Sequence, residues 1–420
     1  MTDHRYLSLP IVDAEKFPGG LELPANEQDQ KIKDFRERHW KTALALDFPG
    51  NKDENWRWVN FKNFPDIFNR EEIKTGLAIS YVDEKGSQQD KTPEGVILTD
   101  LRTAQAKHVE KWSSLAGTIV GTHGDKFRAM TAALANSGVF ISVPKGANLP
   151  GKIVIEVNYQ AQNSGSAFSH HILNLHENAS ATVILKLTGN EKPEPSLISS
   201  LFEIRLEKGA RLNLTEVQAL PSQIWYLSHE KAVVAADASL TWNYAALGAN
   251  TTKNFVTIDL DGEGAEALAR GVYFAGKGQH FDLDTQQNHN AKHTTSDLLY
   301  KGAANSDGRA TWEGMIYVDP IAQQADGFQT NRNLILSDQA EINAIPGLEI
   351  NADDVKCSHG ATVGRLNEDE LFYLQSRGIP LDEAQVLVIQ GFFAGILDEV
   401  LDESTRNYLS RSITEKLLLN

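Results

Sequence analysis

A short motif returns along the middle of the chain: a turn-forming residue, a small residue, an outward residue, then an apolar one. It reads "GANL" at 146–149, "NASA" at 178–181, "GARL" at 209–212, "DASL" at 237–240, "GAEA" at 264–267, "DGRA" at 307–310 and "QAEI" at 339–342. Its second residues fall at 147, 179, 210, 238, 265, 308 and 340, so the steps are 32, 31, 28, 27, 43 and 32. A corner followed by a strand at near-constant spacing is what stacked coils of a β-solenoid produce. Each coil must turn sharply and then send alternate apolar side chains inward. The long fifth step predicts an inserted loop, "QHFDLDTQQNHNAKHTTSD" (279–297). The repeat is degenerate, and on pattern alone a large β-sandwich also satisfies it.

The strands themselves are visible as β-branched runs between turn residues: "GKIVIEV" (151–157), "ATVILKL" (181–187), "FEIRL" (202–206), "KAVVAA" (231–236), "NFVTIDL" (254–260) and "NLILS" (333–337). Helical periodicity frames them. In 26–46, Ile32, Phe35, His39/Trp40 and Leu44 recur at helical spacing. Trp56 and Trp58 in "ENWRWVNF" (54–61) alternate as in a short extended segment packed onto the main body, and "SYVDEKGSQQDKTPEG" (80–95) reads as a polar excursion. Near the other end, Asn367 with Glu370 forms a capping box, Gly378 stops that helix, "PLDEAQ" (380–385) starts a second, and 401–419 makes a third. The expected organisation is a mainly helical region over 1–105, a β core over 106–355 and a helical partner-binding region over 356–420.

A formal net charge of −16 opposes a nucleic-acid surface. The single cysteine fits a reducing compartment. No apolar stretch follows a basic start in "MTDHRYLSLPIVDAEKFPGG", and the longest apolar run, "VLVIQGFFAGIL" (386–397), falls short of the roughly 20 residues of a spanning helix. These features lead to the expectation of a cytoplasmic protein that binds neither membrane nor nucleic acid.

A search for chemistry finds no phosphate-binding P-loop, no dinucleotide fingerprint and no nucleophile elbow. His289 and His293 in "HNAKH" lack a helix to align them and read as a solvated loop or as polar residues capping a coil. On a strand, His170 and His176 of "FSHHILNLH" would face one way and His171 the other, so they read as packing or surface residues. Cys357 and His359 in "DDVKCSHGATVG" (353–364) are two apart, so an extended chain puts both on one face. Thiolate and imidazole are good ligands for iron or zinc, but two ligands do not close a tetrahedral site. From composition alone, an inert thiol beside a hydrogen-bonded histidine is the preferred reading.

The segment "LEINADDVKCSHGATVGRLNEDELFYLQSRGI" (348–379) closely resembles the signature of the SufB/SufD family of the SUF iron–sulfur cluster assembly system. The stretch 310–350 and the tryptophan motif at 54–61 are similar to the family's as well. Details resemble the SufD branch: SufB looks acidic where this chain has Cys357-Ser358-His359-Gly360, and carries a cysteine where this chain has Asn331. The resemblance implies a right-handed parallel β-helix with N-terminal and C-terminal helical regions, and no catalysis of its own. It further implies a heterodimer with the SufB paralogue, the SufC ATPase on the C-terminal helices, and cluster assembly at the SufB–SufD interface with iron acquisition depending on this subunit. His359, with Cys357 beside it, is the implied site, reversing the reading from composition. No cofactor is expected on the chain alone; iron or a cluster would be transient at the interface, and flavin would belong only to the complex. Phe372 and Tyr373 are candidate anchors for the ATPase, and an exposed solenoid edge makes a homodimer of the isolated chain an expectation. The alternative carried with this reading is a stand-alone β-solenoid enzyme acting on polysaccharide.

Overall fold

The computed structural model describes residues 23, 29–50, 52–61, 64–65, 71–89, 92–161, 164–190 and 194–418. The first 20 residues, examined above for a leader, lie outside this set, as do residues 26–28 of the first helical stretch and residues 90–91 of the polar excursion.

From Val139 onward the chain alternates between two sheets. Val139–Val143, Gly165–Leu175, Ser196–Leu206, Ile224–Val234, Thr251–Leu260, His280–His289, Arg309–Val318 and Glu341–Ile350 lie side by side in one. Asn148–Gln160, Ser180–Gly189, Arg211–Gln218, Ser239–Ala246, Glu266–Ala275, Thr295–Ala304, Asp326–Ile335 and Lys356–Arg365 form the other. Neighbours within each sheet are parallel and come from successive coils, with Leu214 aligned to Val183 on one side and Trp242 on the other. This is a β-solenoid of eight coils, as expected; a sandwich built from hairpins is excluded by the parallel pairing. Alternation fills its lumen: Val183, Leu185, Leu187, Leu212, Leu214, Ile204, Leu206, Val234 and Ile258 pack in one continuous core.

One corner explains the spacing. Gly146, Asn178, Gly209, Asp237, Gly264, His293 and Gln324 all have positive φ, from 57° to 72°. They recur at steps of 32, 31, 28, 27, 29 and 31. Each donates its N–H to a carbonyl at the same corner of the next coil: Gly146 to Glu177, Asn178 to Lys208, Gly209 to Ala236, Asp237 to Glu263, Gly264 to Lys292, His293 to Gln323 and Gln324 to Asp354. The inserted loop expected at 279–297 is therefore not there. That stretch is the strand His280–His289, a corner at His293 and the start of the strand Thr295–Ala304. The motif at 307–310 and 339–342 belongs to the opposite corner, which precedes Arg309 and Glu341. The long step arose from counting across two corners.

Helices cover both outer faces. α1 (Gln30–Ala45), α2 (Leu101–Lys107), α3 (Val109–Ser113) and α4 (Lys126–Leu134) pack over the first sheet, with Ile32, Phe35, Trp112 and Ala132 against Phe140, Ile172 and Leu201. Trp56 is buried against Phe127 and Phe61 beside Trp225, but it lies in a 3-10 turn (Glu54–Trp56) rather than an extended segment. Asp53 and Glu54 start that turn, which places Trp58 beside Glu313, to whose carboxylate its indole N–H donates. Glu203, fully buried on the outer face, accepts from the N–H groups of Gly117, Ile119 and Val120 and from His170 Nε2 at 2.7 Å, tying the loop after α3 to the sheet. α5 (Glu368–Ser376), α6 (Leu381–Leu397) and α7 (Glu403–Leu418) follow the solenoid; Phe393, Ile396 and Leu409 pack against Val217, Ala245 and Phe274 of the second sheet.

The two ends differ. At the first, Lys74–Val82 runs antiparallel to Asn148–Gln160 and turns back through Asp83–Gly86 to Gln88–Gln89, while Ile97–Asp100 pairs antiparallel with Val139–Val143. The excursion at 80–95 is thus partly a hairpin, and edge strands are covered by it. At the far end the coils continue through Lys356–Arg365, ten residues past the boundary drawn from the sequence, because Lys356–Arg365 keeps parallel register with Asp326–Ile335.

The corner conformation is expected to separate two substitutions. A side chain at Gly209 would meet Asn178 Oδ1 at 2.2 Å from its Cβ and adopt a left-handed φ of 67°, so Gly209→Ala should destabilise by about 1–2 kcal/mol. Gln324→Gly relieves the same conformation and should be neutral or stabilising by up to about 1 kcal/mol. Urea unfolding of both variants checks the pair; equal effects would remove the corner from the account.

Candidate functional site

The open mouth of the last coil places the residues singled out above. The register sets Cys357 opposite Gly327 and His359 opposite Gln329, and both Gly327 and Gln329 face the lumen. Cys357 and His359 therefore share the inward face, as their spacing required. With no ninth coil among the described residues to cover them, Cys357 is half-buried and His359 exposed. The His359 imidazole has no side-chain partner among the described residues.

Around the thiol the wall is apolar: Cys357 packs on the cluster of Ile316, Val318, Ala322 and Ala325. Burial pushes the thiol up from its ordinary range and Asp326 adds to this, while the Gly327 N–H works against both. At neutral pH the free chain thus carries a thiol, not a thiolate, and a metal would have to displace its proton. Beneath it lies a window. A Cβ on Gly327 would sit 3.0 Å from His289 Nε2 and 3.4 Å from Cys357 Sγ, so a larger residue there would crowd the lumenal histidine and touch the rim thiol. His289 is held neutral by burial, its pKa lowered to about 4. Its Nδ1 donates to Thr294 Oγ1 at 2.8 Å, since that hydroxyl donates to Ala291 O, and Nε2 accepts from Ser296 Oγ at 2.8 Å. His293 points the other way, at the exposed corner, 3.7 Å from Glu263.

The other histidines singled out from the sequence stay apart from the rim. His170 and His171 are buried several coils away, and His176 pairs with Glu207 at 2.9 Å. Among the described residues no three of His, Cys, Asp and Glu converge on a point fit for a metal. Asn331 lies in the lumen one coil inside the mouth, donating to Tyr300 O, opposite Ala361. Sequence reasoning missed Gly327, His289 and Gln329 as neighbours of the rim. The signal was the coil step: thirty residues back from Cys357 is Gly327.

The mouth also exposes backbone. Alternate residues of a parallel strand direct their N–H and C=O to the same neighbour. Lys356 N–H donates to Ala325 O, so Cys357, His359, Ala361 and Val363 turn theirs to the free edge. Val363 and Ile350 are large apolar side chains exposed beside it. Immediately after this strand comes α5, which buries none of its residues; Phe372 is 72% and Tyr373 57% exposed, with the Arg377 guanidinium 5.2 Å from the Tyr373 ring. A groove of about 470 Å³ between α5, α6 and the solenoid is lined by Leu334, Leu366, Leu387, Val388 and Phe392. No helix among the described residues is long and apolar enough to cross a membrane.

Residues 157–392 match the family model described as the SUF system FeS cluster assembly, SufBD core domain, and residues 72–155 match the SufBD protein N-terminal region. The iron–sulfur cluster assembly protein SufD of Bacillus subtilis is 28% identical over 92% of this chain and 97% of its own length. SufD of Escherichia coli is 27% identical over 91% and 92%, and SufB of Bacillus subtilis is 26% identical over 77% and 70%.

Cys357 is the chain's sole thiol, so its ionisation is directly readable. Alkylation by iodoacetamide, followed by mass spectrometry, should show a pH midpoint above the ordinary thiol value of about 8.5. A midpoint at or below that value would mean the apolar wall does not govern the thiol.

Proposed function

The chain belongs to the SufB/SufD family of the SUF iron–sulfur cluster assembly system, and from that premise we propose that it is a non-catalytic cytoplasmic subunit, of the SufD type, that supplies half of a cluster-assembly site to a SufB-type partner. The observation that carries this reading is the mouth of the last coil. There His359 and Cys357 stand on an uncapped strand with too few ligands to hold iron alone, beside backbone groups that lack a neighbour. A partner strand added to that edge would satisfy the free N–H and C=O groups and bring its own ligands to the same face.

In this reading iron or a nascent cluster is cargo, not a resident cofactor. His359 offers an unpartnered imidazole to it, and Cys357 offers a thiol whose proton leaves only when a metal or a base on the partner takes its place. The chain holds asparagine at 331, where the SufB branch is expected to carry a cysteine, so the second thiol must come from the partner. α5 presents Phe372 and Tyr373 mostly exposed, with only Arg377 of the same helical end reaching the Tyr373 ring among the described residues, which suits a seat for the SufC ATPase. Aromatic residues in such positions carry much of an interface's affinity.

Anaerobic reconstitution with SufB and SufC, comparing wild type with His359→Ala, tests the site. The variant is expected to form the complex normally and to yield several-fold less cluster; equal yield would exclude His359. Phe372→Ala with Tyr373→Ala tests the seat. Loss of about 2 kcal/mol or more of affinity for SufC, with binding to SufB unchanged, is expected by titration calorimetry, and unchanged SufC affinity would place the seat elsewhere.

A further inference from the structure

Midway along the solenoid, two carboxyl groups meet inside the lumen. Glu216 enters from the strand Arg211–Gln218, between Leu185 and Tyr244 in register. Glu230 enters from the opposite sheet on the strand Ile224–Val234, between Phe202 and Val256. They are 1% and 2% exposed, and they lie within hydrogen-bonding reach of one another. Glu230 Oε1 accepts from Asn254 Nδ2 at 2.7 Å, and Asn254 also donates to Ser228 Oγ. Glu216 Oε2, Glu230 Oε2 and the Tyr244 hydroxyl have no partner, although Tyr244 is 3% exposed and stands beside Glu216 in the ladder.

Ionised carboxylates only accept hydrogen bonds, so two of them cannot bond to each other. A contact of this kind needs either a cation or a proton between them. The titratable groups that face the pair are Tyr159, Tyr226, Tyr244 and Tyr300, all of them acids, and no Lys, Arg or His among the described residues is close enough to act on it. The imidazole of His171, also lumenal, packs edge-on against Phe202 instead. The Trp242 indole and Ser228 favour the charged form but are outweighed by burial, which pushes both carboxyls up.

We propose that Glu216 and Glu230 form a proton-binding site that closes the middle of the lumen and retains one shared proton at neutral pH. The proton is the donor that the contact between the two carboxyls otherwise lacks. The site belongs to the interior of the rod, four to five coils from the rim residues, so it stands independently of the assembly role.

The linkage has a definite sign. Unfolded carboxyls release their protons above about pH 4, whereas the folded pair keeps one to a higher pH. Over that window the folded chain binds more protons than the unfolded chain, so this pair's contribution to stability falls as pH rises. Urea unfolding midpoints measured from about pH 5 to about pH 8 read the slope. Compared with wild type, the double variant Glu216→Gln/Glu230→Gln, whose amides supply their own N–H donors, should lose less stability as pH rises, whatever its absolute stability and whatever the other groups contribute. A slope parallel to wild type would overturn the proposal. Infrared spectroscopy of the folded wild-type chain at neutral pH gives a second readout that does not need the variant to fold. A protonated-carboxyl carbonyl band should be present, and its absence would equally overturn the site.

Discussion

The interaction on which the rest depends is one hydrogen bond repeated along a corner. At each of seven positions, from Gly146 to Gln324, a residue in left-handed conformation aims its N–H at a carbonyl of the next coil. The positive φ turns the chain sharply enough to start a new strand, and the bond fixes how far that strand sits from the last. Everything inside follows from this spacing, because parallel register sets which side chains share a level of the lumen. Val183, Leu214 and Trp242 form one such column, and Gly327 with Cys357 another.

That constraint also explains why the two ends do not behave alike. A stack of coils has no intrinsic stop, and an edge left bare invites pairing. The first end is stopped by antiparallel strands that reverse the direction of the ladder. The far end has only the last coil, whose corner accepts from Gln324 at the Asp354 carbonyl and, among the described residues, donates to no successor. Among the described residues no element caps this end, and in the proposed function it is the edge that the partner covers. That coil carries His359 and Cys357, so the open edge and the two residues of the proposed site coincide there.

Much of this was legible from the residues, and the failures share a cause. Five of the corner residues are Gly, Asn or Asp, the types that tolerate positive φ, and these gave the repeat its visible steps. At 293 and 324 the same conformation is held by His and Gln, which carry no such signature, so the repeat slid to the opposite corner and an insertion was inferred that does not exist. The i,i+2 placement of Cys357 and His359 on one face was readable because strand period is local. Their neighbours Gly327 and His289 were not, because they depend on the coil step that the slide obscured. The Glu216–Glu230 contact lay further still beyond the sequence. Each residue sits in an ordinary alternating strand, and only the facing of two sheets brings them together.

The C-terminal helices extend the logic from the lumen to the outside. α6 and α7 are pinned to the second sheet by cations at several levels. Arg270 reaches Glu399 at 2.8 Å, Lys301 donates to the Phe392 carbonyl, Lys152 pairs with Asp402, and Lys416 donates to Leu247 O at 2.7 Å. α5 has no such fastening and buries none of its residues. It leaves directly from the strand of His359, with Leu366 and Asn367 between, and Asn367 caps its first turn. A force on Phe372 and Tyr373 therefore has two routes: into α6, which is anchored, or back along the chain into Lys356–Arg365, which is bound to the solenoid on one side only. The less constrained route leads to the strand of His359 and Cys357, which is how, in the proposed function, a partner on α5 would act on the rim.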